Sequence, residues 1–422
     1  MREKSLKINF VWAFVGNAIS SACMFLLLVI LSKQGDAAMV GVFTVAQAVG
    51  LPVNMLLSLK LQNVQVTDAR NEFSFGHYYA VRILTSILTT VVIAVIAVLC
   101  YSGQTAWITI LMGIGYSVIS LRESYLSVMQ KSEQMNKMTV SMILQGALSL
   151  VMFGGIFWWT HNLVLSVLGL IAARLGTLLF YDRPTAQHLL RDHPQRHGTD
   201  RLYAVWDCSK LWTLVRLAAP LGLVAWLVSL YTSIPRLTLD KYYGQDEVGY
   251  FGAISSLLVL GTMITTALGQ SVSPRLSRYY VDNIIAYKLL VYKMAGIALC
   301  LGLLAVAAST FLGRWILTVM FTSEYAQYNH IFVGLTVAGA ILFLYTFMND
   351  SLTATRTFTV QLPICAAAAG VCGLGSLVLI PRVGMMGAVY ALIGCYLVGF
   401  LGCLVSVIYF YRRRKAIISV SR

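Results

Sequence analysis

The chain has 422 residues, of which 58% are hydrophobic and only 11% are charged, and its mean hydropathy is +0.77. A soluble domain carries about twice that charged fraction, so the composition excludes an ordinary water-soluble protein and indicates one that sits in lipid. The net charge of +15 comes from lysines and arginines between the apolar runs and does not indicate nucleic-acid binding.

Apolar runs of roughly twenty residues recur along the chain, the length that a hydrocarbon core about 30 Å thick requires. The first run follows a basic start and is too long for a signal-peptide core, so we predict a retained helix there. The runs predict an all-α membrane protein of about twelve transmembrane helices, here called spans 1 to 12. In chain order the spans are Phe10–Leu31, Met39–Leu61, Tyr79–Tyr101, Ala106–Val128, Met138–Trp159, Leu163–Tyr181, Leu211–Ile234, Val248–Leu268, Leu289–Leu312, Tyr328–Asp350, Phe358–Ile380 and Val383–Tyr411.

Basic residues are concentrated on one side of these spans. With the amino terminus inside, the inner segments hold 25 of the 31 lysines and arginines, and Arg174 lies within span 6. The positive-inside rule therefore predicts that both termini are cytoplasmic. The five outer basic residues are Lys33, Arg236, Lys241, Arg314 and Arg382.

The longest stretch between spans is Asp182–Lys210, which is rich in arginine and aspartate. We interpret it as a solvated cytoplasmic linker between two lobes, 1–181 and 211–422; a metal site at His188, His193 and His197 is the alternative. No Cys-x-x-Cys pair is present, so the cysteines predict neither a metal site nor a disulfide framework. No phosphate-binding loop or catalytic cluster is visible, which predicts a protein that is not an enzyme and uses no cofactor.

The two sets of six spans are related to each other in sequence. Val40-Gly-Val-Phe43 recurs as Val248-Gly-Tyr-Phe251, an offset of 208 residues. Because an even number of spans separates the copies, the repeat is parallel and its axis is normal to the membrane. Transporters use such repeats to place a substrate site between two lobes.

Polar residues lie at helical spacing on one face of span 2, and the same offset of 208 residues places polar partners on span 8. Amides that face lipid are unfavourable, so these faces predict an aqueous cavity, with dry interhelical hydrogen bonding as the alternative. Spans 1 and 7 add further polar positions. The candidate cavity residues are Asn17, Gln47, Asn54, Ser58, Gln62, Arg174, Ser229, Ser233, Arg236, Thr262, Thr266 and Gln270.

Cationic side chains near the membrane form a second group. Most of those at inner span ends are predicted to fix topology or to extend towards the lipid surface. Arg174 is different because it lies eleven residues beyond Leu163, about 16 Å deep at 1.5 Å per residue. It suits a phosphate by bidentate bonding, but it could also extend to the inner surface or pair with Glu123. The inner-end group is Lys60, Arg82, Arg122, Arg216 and Arg275.

Several stretches resemble the polysaccharide flippases of the multidrug/oligosaccharidyl-lipid/polysaccharide exporter superfamily. The resemblance covers nearly the whole chain, including its length and its six-plus-six plan, and it rests on the order of the stretches more than on any one of them. They are Leu217-Ala-Ala-Pro-Leu-Gly222, Pro235–Gly244 with Val248–Phe251, Gln270–Leu276, Ile316–Phe321 before Tyr325, and Val383–Ala388.

The resemblance implies a flippase of the bacterial inner membrane that moves undecaprenyl-diphosphate-linked oligosaccharide from the inner to the outer leaflet. It implies alternating access and use in surface polysaccharide assembly, such as O-antigen of lipopolysaccharide, with a polysaccharide polymerase and a chain-length regulator as partners. In several relatives the cavity is cationic and is lined by spans 1, 2, 7 and 8. Here the faces are mostly neutral, so Lys60 and Arg275 are added as candidate diphosphate contacts.

Two other functions remain alternatives at this point. A cation-coupled multidrug antiporter of the same superfamily usually needs a membrane-embedded carboxylate, and the acids at helix depth, Glu123, Asp240 and Asp350, lie near span ends. A membrane-embedded glycosyltransferase or polymerase should have a large outer loop with catalytic residues. The largest outer segment, Gly313–Gln327, is short.

Overall fold

A computed structural model describes residues 6–68, 71–192, 203–354 and 360–420 of the chain. Regular structure in these ranges is helical, and twelve stretches are long and apolar enough to cross a membrane. The predicted all-α membrane fold with twelve spans is thereby confirmed. The described chain forms two compact units, Met1–Ser229 and Leu230–Arg422, here called the N-terminal and the C-terminal unit.

The N-terminal unit contains eight described helices and the first part of a ninth. Short polar turns join them, and the Asp36 carboxylate caps the second helix by accepting from the Met39 N–H at 2.7 Å. The helices are α1 Leu6–Gln34, α2 Ala37–Leu57, α3 Leu61–Thr67, α4 Phe75–Cys100, α5 Gly103–Lys131, α6 Met135–Thr160, α7 Leu163–Thr177 and α8 Arg183–Asp192.

The segment after α7 differs from the predicted linker at its start. A π-helical turn, Leu178–Asp182, leads directly into α8, so helix continues past the predicted end of span 6 at Tyr181. His188 lies on α8, whereas His193 and His197 lie outside the described residues. The predicted lobes 1–181 and 211–422 and the linker between them stay a prediction.

Residues 203–207 contact another part of the N-terminal unit. The Val205 N–H donates to the Gly76 carbonyl at 3.0 Å. A Cβ at Gly76 would lie 2.5 Å from the Tyr203 carbonyl oxygen, so only glycine permits this approach. This contact holds residues 203–207 against the start of α4.

The remaining helices are long. Four of them contain 36 to 38 residues, which at 1.5 Å per residue is over ~50 Å and more than a hydrocarbon core requires. They are α9 Cys208–Tyr243, which begins in the N-terminal unit and ends in the C-terminal unit, α10 Gln245–Asp282, α11 Ile284–Met320, a 3₁₀ turn Ser323–Tyr328, α12 Asn329–Ala354, α13 Gln361–Val383 and α14 Met385–Val420.

Large apolar side chains cover the outside of both units. Trp159, Phe180 and Phe311 are 84% to 90% exposed, as expected of side chains that face lipid. Small residues allow close helix contacts inside each unit: Gly16 of α1 packs on Thr139 of α6, and the Thr139 hydroxyl donates to the Trp12 carbonyl at 2.6 Å. Small interface residues of this kind are typical of membrane helix packing.

Candidate functional site

The polar face of α2 is buried in the carboxyl-terminal half of the helix. Asn54 and Ser58 are 4% and 5% exposed, and Gln47 is half-buried. The Asn54 Oδ1 atom accepts no hydrogen bond from the described residues. The Ser58 hydroxyl contacts the Met55 carbonyl of its own helix at a long 3.4 Å. Buried polar groups are nearly always paired, so the orphaned Asn54 oxygen marks this face as a place where a partner is missing.

The helix breaks directly after this face. Leu59 and Lys60 both have left-handed backbones, with φ of 52° and 50°, and they separate α2 from α3. Residues with a Cβ avoid this conformation, at a cost of roughly 1–2 kcal/mol each. Gly222 of α9 lies against the break, where a Cβ would lie 2.9 Å from the Leu56 carbonyl oxygen and 3.0 Å from the Leu59 Cα.

The break interrupts the face that the sequence predicts as continuous. Gln62 lies on α3, where its Nε2 donates to the Gln130 Oε1 of α5 at 3.1 Å. Gln65 is buried beside it on the same short helix. Lys60, a candidate diphosphate contact, is half-buried at the break. Asn54 and Gln62 therefore do not share one uninterrupted helical face.

The matching face on α10 is more exposed and bonds largely to its own backbone. Thr262 is half-buried and donates to the Val259 carbonyl at 2.8 Å, and Thr266 is exposed. Gln270 lies on α10, but its side chain is outside the described part of the chain, and Arg275 is exposed. The threonine bonds are those expected of hydroxyls in a membrane helix with or without a cavity.

The predicted residues of α9 and α1 differ in burial. Ser229 and Ser233 are buried, and the Ser229 hydroxyl donates to the Trp226 carbonyl at 2.6 Å. Arg236 is half-buried, and its Nη2 donates to the Ser255 hydroxyl of α10 at 3.1 Å, which joins two polar faces within the C-terminal unit. Asn17 of α1 is exposed.

Two arginines at predicted inner ends are buried in ion pairs inside the N-terminal unit, so they do not extend towards the lipid surface. Arg82 is 1% exposed and pairs with Glu123 at 2.8 Å. The Arg122 Nε donates to the Asp182 carboxylate at 2.6 Å, and its Nη1 donates to Gln145 at 2.9 Å. A buried charge is stabilised by a partner of opposite sign, which explains the pairing.

Arg174 is a third buried arginine of this unit. It is 2% exposed, and neither its Nε nor its Nη1 has a hydrogen-bond partner among the described residues. Its Nη1 lies over Gly115, where a Cβ would be only 2.7 Å away. Glu123, the predicted alternative partner, pairs with Arg82 instead. Among its described residues, this unit thus buries three arginines, against one buried carboxylate, Asp182, and one half-buried carboxylate, Glu123.

A cavity of about 300 Å³ lies within the N-terminal unit at the end of α3. Asp68 and Glu72 line it, and the Asp68 carboxylate accepts from the Glu72 and Phe73 N–H groups and from the Tyr78 hydroxyl. The negative lining is unsuited to a diphosphate. Sequence spacing gave no indication of this cavity, because its walls come from a loop and from α9 as well as α3.

Similarity to known proteins extends over nearly the whole chain. No family model matches the sequence. The chain is 27% identical over 410 residues to the capsular polysaccharide biosynthesis protein CapF of Staphylococcus aureus, covering 96% of this chain and 99% of that protein.

Solved structures are similar to this chain in fold over nearly its whole length. The inward closed lipid II flippase MurJ superposes with a TM-score of 0.73 at 12% identity, over 96% of this chain and 90% of MurJ. An inward-facing multidrug resistance MATE transporter gives 0.63 at 14% identity, over 100% and 98% of the two chains. A superfamily member from Pyrococcus furiosus gives 0.59 at 14%, over 96% and 94%.

These likenesses confirm the resemblance that the sequence motifs indicate. The MATE transporter and the Pyrococcus protein are both members of the MOP superfamily, the exporter superfamily predicted above. The chain therefore has the fold of the multidrug/oligosaccharidyl-lipid/polysaccharide exporter superfamily. Its sequence is similar to that of a capsular polysaccharide biosynthesis protein.

Proposed function

We propose that the chain is a flippase that moves an undecaprenyl-diphosphate-linked oligosaccharide from the cytoplasmic to the periplasmic leaflet of the bacterial inner membrane. The end-to-end similarity to CapF and the MurJ-like fold support this proposal. The glycan then serves surface polysaccharide assembly, with a polymerase and a chain-length regulator acting after translocation.

The chemistry of the substrate explains why polar helix faces are needed. A diphosphate and a hydrated glycan cannot enter hydrocarbon unaided, because each unpaired polar group costs kilocalories per mole. We propose that the polar faces of α2, α9 and α10 replace this hydration while the polyprenyl tail stays in lipid. The orphaned Asn54 oxygen supports this role, since a sugar hydroxyl would supply the missing donor.

One observation carries the choice of flippase over cation antiporter. The candidate spans of the N-terminal unit contain two acidic residues, Glu123 and Asp182, and both are ion-paired with arginines. A carboxylate held in this way is not free to exchange protons or sodium ions for a cationic drug. The buried Arg174, without a carboxylate, leaves an excess of positive charge, which suits a diphosphate.

We propose direct diphosphate contact at Arg236, which is half-buried on the polar face of α9. We propose that Lys60 and Arg275 contact the diphosphate nearer the predicted inner side. Arg174 acts at longer range, because its guanidinium is enclosed by protein. Its positive charge in a low-dielectric interior attracts an anion without touching it.

The antiporter is kept as the second candidate because of one residue. Asp350 of α12 is half-buried against Gly269 of α10 and belongs to the C-terminal unit, where the arginine pairs described above do not reach. A carboxylate in such a place could take part in ion exchange. The MATE likeness of the fold is compatible with this reading.

Deletion in cells that make the polysaccharide tests the proposal. We expect surface polysaccharide to be lost while lipid-linked repeat units accumulate inside, as measured by extraction and by their protection from an enzyme added to the periplasm. Complementation with Arg236→Gln should restore at most about a tenth of the polysaccharide, since a charge-assisted contact is worth about 1.5–3 kcal/mol. Arg216→Gln is the matched control, because Arg216 is exposed over Trp212.

Other outcomes would decide against the flippase. Loss of the lipid-linked units themselves would favour a transferase. Normal polysaccharide together with new sensitivity to cationic dyes would favour the antiporter.

A further inference from the structure

Three tyrosines form a connected cluster in the C-terminal unit, where the start of α10 meets the 3₁₀ turn Ser323–Tyr328. The Tyr250 ring lies 4.6 Å from the Tyr328 ring and 4.9 Å from the Tyr325 ring, centroid to centroid. Tyr250 and Tyr328 are half-buried and Tyr325 is buried. We call these three residues the tyrosine platform.

Carboxylates surround the tyrosine platform. The Tyr250 hydroxyl donates to the Glu324 Oε2 at 3.3 Å. Asp246, Glu247 and Glu324 all lie close enough to Tyr328 to interact with it electrostatically. The platform thus combines apolar ring faces with a concentration of hydrogen-bond acceptors and of negative charge.

One buried polar atom of the platform, the Tyr325 hydroxyl, has no partner among the described residues, and its residue is 2% exposed. The Asn329 Oδ1 also lacks a partner, but it lies against Gly313 of α11. A buried polar atom without a hydrogen bond costs about 1–3 kcal/mol, so such atoms usually have a function or an absent partner. The half-buried Tyr250 ring lies edge-to-face against the Tyr325 ring.

These features differ from an ordinary aromatic belt. Belt tyrosines sit singly at the membrane surface, with the ring in lipid and the hydroxyl in water. Here the rings pack on one another, one hydroxyl is bound to a carboxylate and another is buried without a partner. Both segments fall in regions that the charge distribution predicts to be outside, next to the predicted outer leaflet.

We propose that the tyrosine platform binds the glycan of the translocated substrate, and that it selects sugars that are neutral or carry an amine. This inference rests on the proposed function and names the part of the substrate that the platform contacts. Sugar rings present C–H groups of partial positive charge to the negative ring faces, and their hydroxyl and amide groups supply donors for Glu324 and acceptors for the Tyr325 hydroxyl. The three carboxylates repel uronic acids.

An organic cation fits this site less well. Carboxylates and ring faces would attract it, but a quaternary ammonium ion has no acceptor for the Tyr325 hydroxyl. A sugar hydroxyl supplies one. The orphaned Tyr325 hydroxyl therefore favours the glycan.

Saturation-transfer NMR on the purified full-length protein in detergent tests the proposal with three probes of known chemistry. Chitotriose, a neutral N-acetylated trisaccharide, should bind, and trigalacturonate and tetraethylammonium should not displace it. Tyr250→Ala should weaken chitotriose binding about fivefold or more, as expected for loss of one aromatic contact. Tyr390→Ala is the matched control, since Tyr390 is an exposed tyrosine of α14 near the same predicted side.

Two conservative variants separate binding from folding. Tyr325→Phe should weaken chitotriose binding while the Tm stays equal or rises, because it removes an unsatisfied buried hydroxyl. Glu324→Gln should weaken chitotriose binding and allow trigalacturonate to bind. A Tyr325→Phe protein with unchanged binding, or a chitotriose signal that tetraethylammonium displaces, would overturn the platform.

The two proposals can fail separately. Absence of chitotriose binding in a protein whose deletion still traps lipid-linked units inside the cell would remove only the platform. Binding that follows the predicted pattern, with no export defect on deletion, would leave a sugar site on a protein that is not the proposed flippase.

Discussion

The two units share a sequence repeat but stabilise their interiors in different ways. The N-terminal unit buries charge, with Arg122 and Asp182 joined at 2.6 Å. The C-terminal unit uses neutral contacts, such as the Tyr231 hydroxyl donating to the Cys365 carbonyl at 3.1 Å, and its Arg278–Asp282 pair lies on the surface. Repeat-related helices can therefore keep one fold while the chemistry that holds them together changes.

The second helix of each repeat shows the same divergence. In the N-terminal unit it breaks at Leu59 and Lys60, whereas α10 runs from Gln245 to Asp282 without a break. A broken helix exposes backbone groups and can bend at a defined point. The second helix is therefore segmented in the N-terminal unit and continuous in the C-terminal unit.

Removing one member of the buried ion pair should have the largest effect. Asp182→Asn leaves the Arg122 guanidinium buried without a counter-charge, and we expect the free energy of unfolding to fall by about 3–5 kcal/mol. Thermal or denaturant unfolding in detergent micelles measures this. The control is Asp282→Asn, which removes an exposed i,i+4 pair and should cost no more than about 0.5 kcal/mol. Equal losses in the two variants would abolish the contrast between the units.

A neutral contact of the C-terminal unit should contribute less to the free energy of unfolding than the buried ion pair does. Tyr231→Phe removes the hydrogen bond to the Cys365 carbonyl, which keeps its place in α13, so we expect a loss of about 1 kcal/mol in the same unfolding measurement. Ser309 and Thr336, a second neutral pair at 2.7 Å, offer a check through Thr336→Val. A loss above about 3 kcal/mol from Tyr231→Phe would show that this interior depends on its polar contacts as strongly as the charged one.

Substitutions that test the helix break should have the smallest effect on the free energy of unfolding. The change should have opposite signs at two lysines. Lys60→Gly relieves a left-handed backbone that costs roughly 1–2 kcal/mol but adds freedom to the unfolded chain, so we expect a gain of about 0.5 kcal/mol. Lys293 is exposed in the interior of α11, and Lys293→Gly should cost about 1 kcal/mol. If both variants lose stability equally, the backbone at Lys60 is not strained.

Much of the fold follows from apolar length alone. Twelve runs long enough to cross a hydrocarbon core predict twelve spans, and the structure contains them. The exact ends were harder to predict. Asp182 and Arg183 look like the end of an apolar run, yet the helix continues through them because Asp182 is neutralised by Arg122.

The buried network and the break could not be read from the sequence. Arg122 and Asp182 are 60 residues apart, and no helical period connects positions on different helices. The Leu59–Lys60 break has no glycine or asparagine to announce a left-handed backbone. Gly222, which comes from another helix, lies against it. The polar spacing on α2 did single out Asn54, the residue with the orphaned oxygen.

We propose that the polar faces of α2 and α10 line the path of the glycan headgroup, and thiol accessibility shows whether they do. In a cysteine-free background, Asn54→Cys, Ser58→Cys, Thr262→Cys and Thr266→Cys should react with a membrane-impermeant thiol reagent, from one side of the membrane or the other according to conformation. Reaction at positions 54 and 58 requires opening, since both are buried in this structure. Leu56→Cys and Ile264→Cys, on the opposite helix faces, should stay unreactive. If all four cysteines stay unreactive in a protein that still exports polysaccharide, the polar faces of α2 and α10 do not line the path of the glycan.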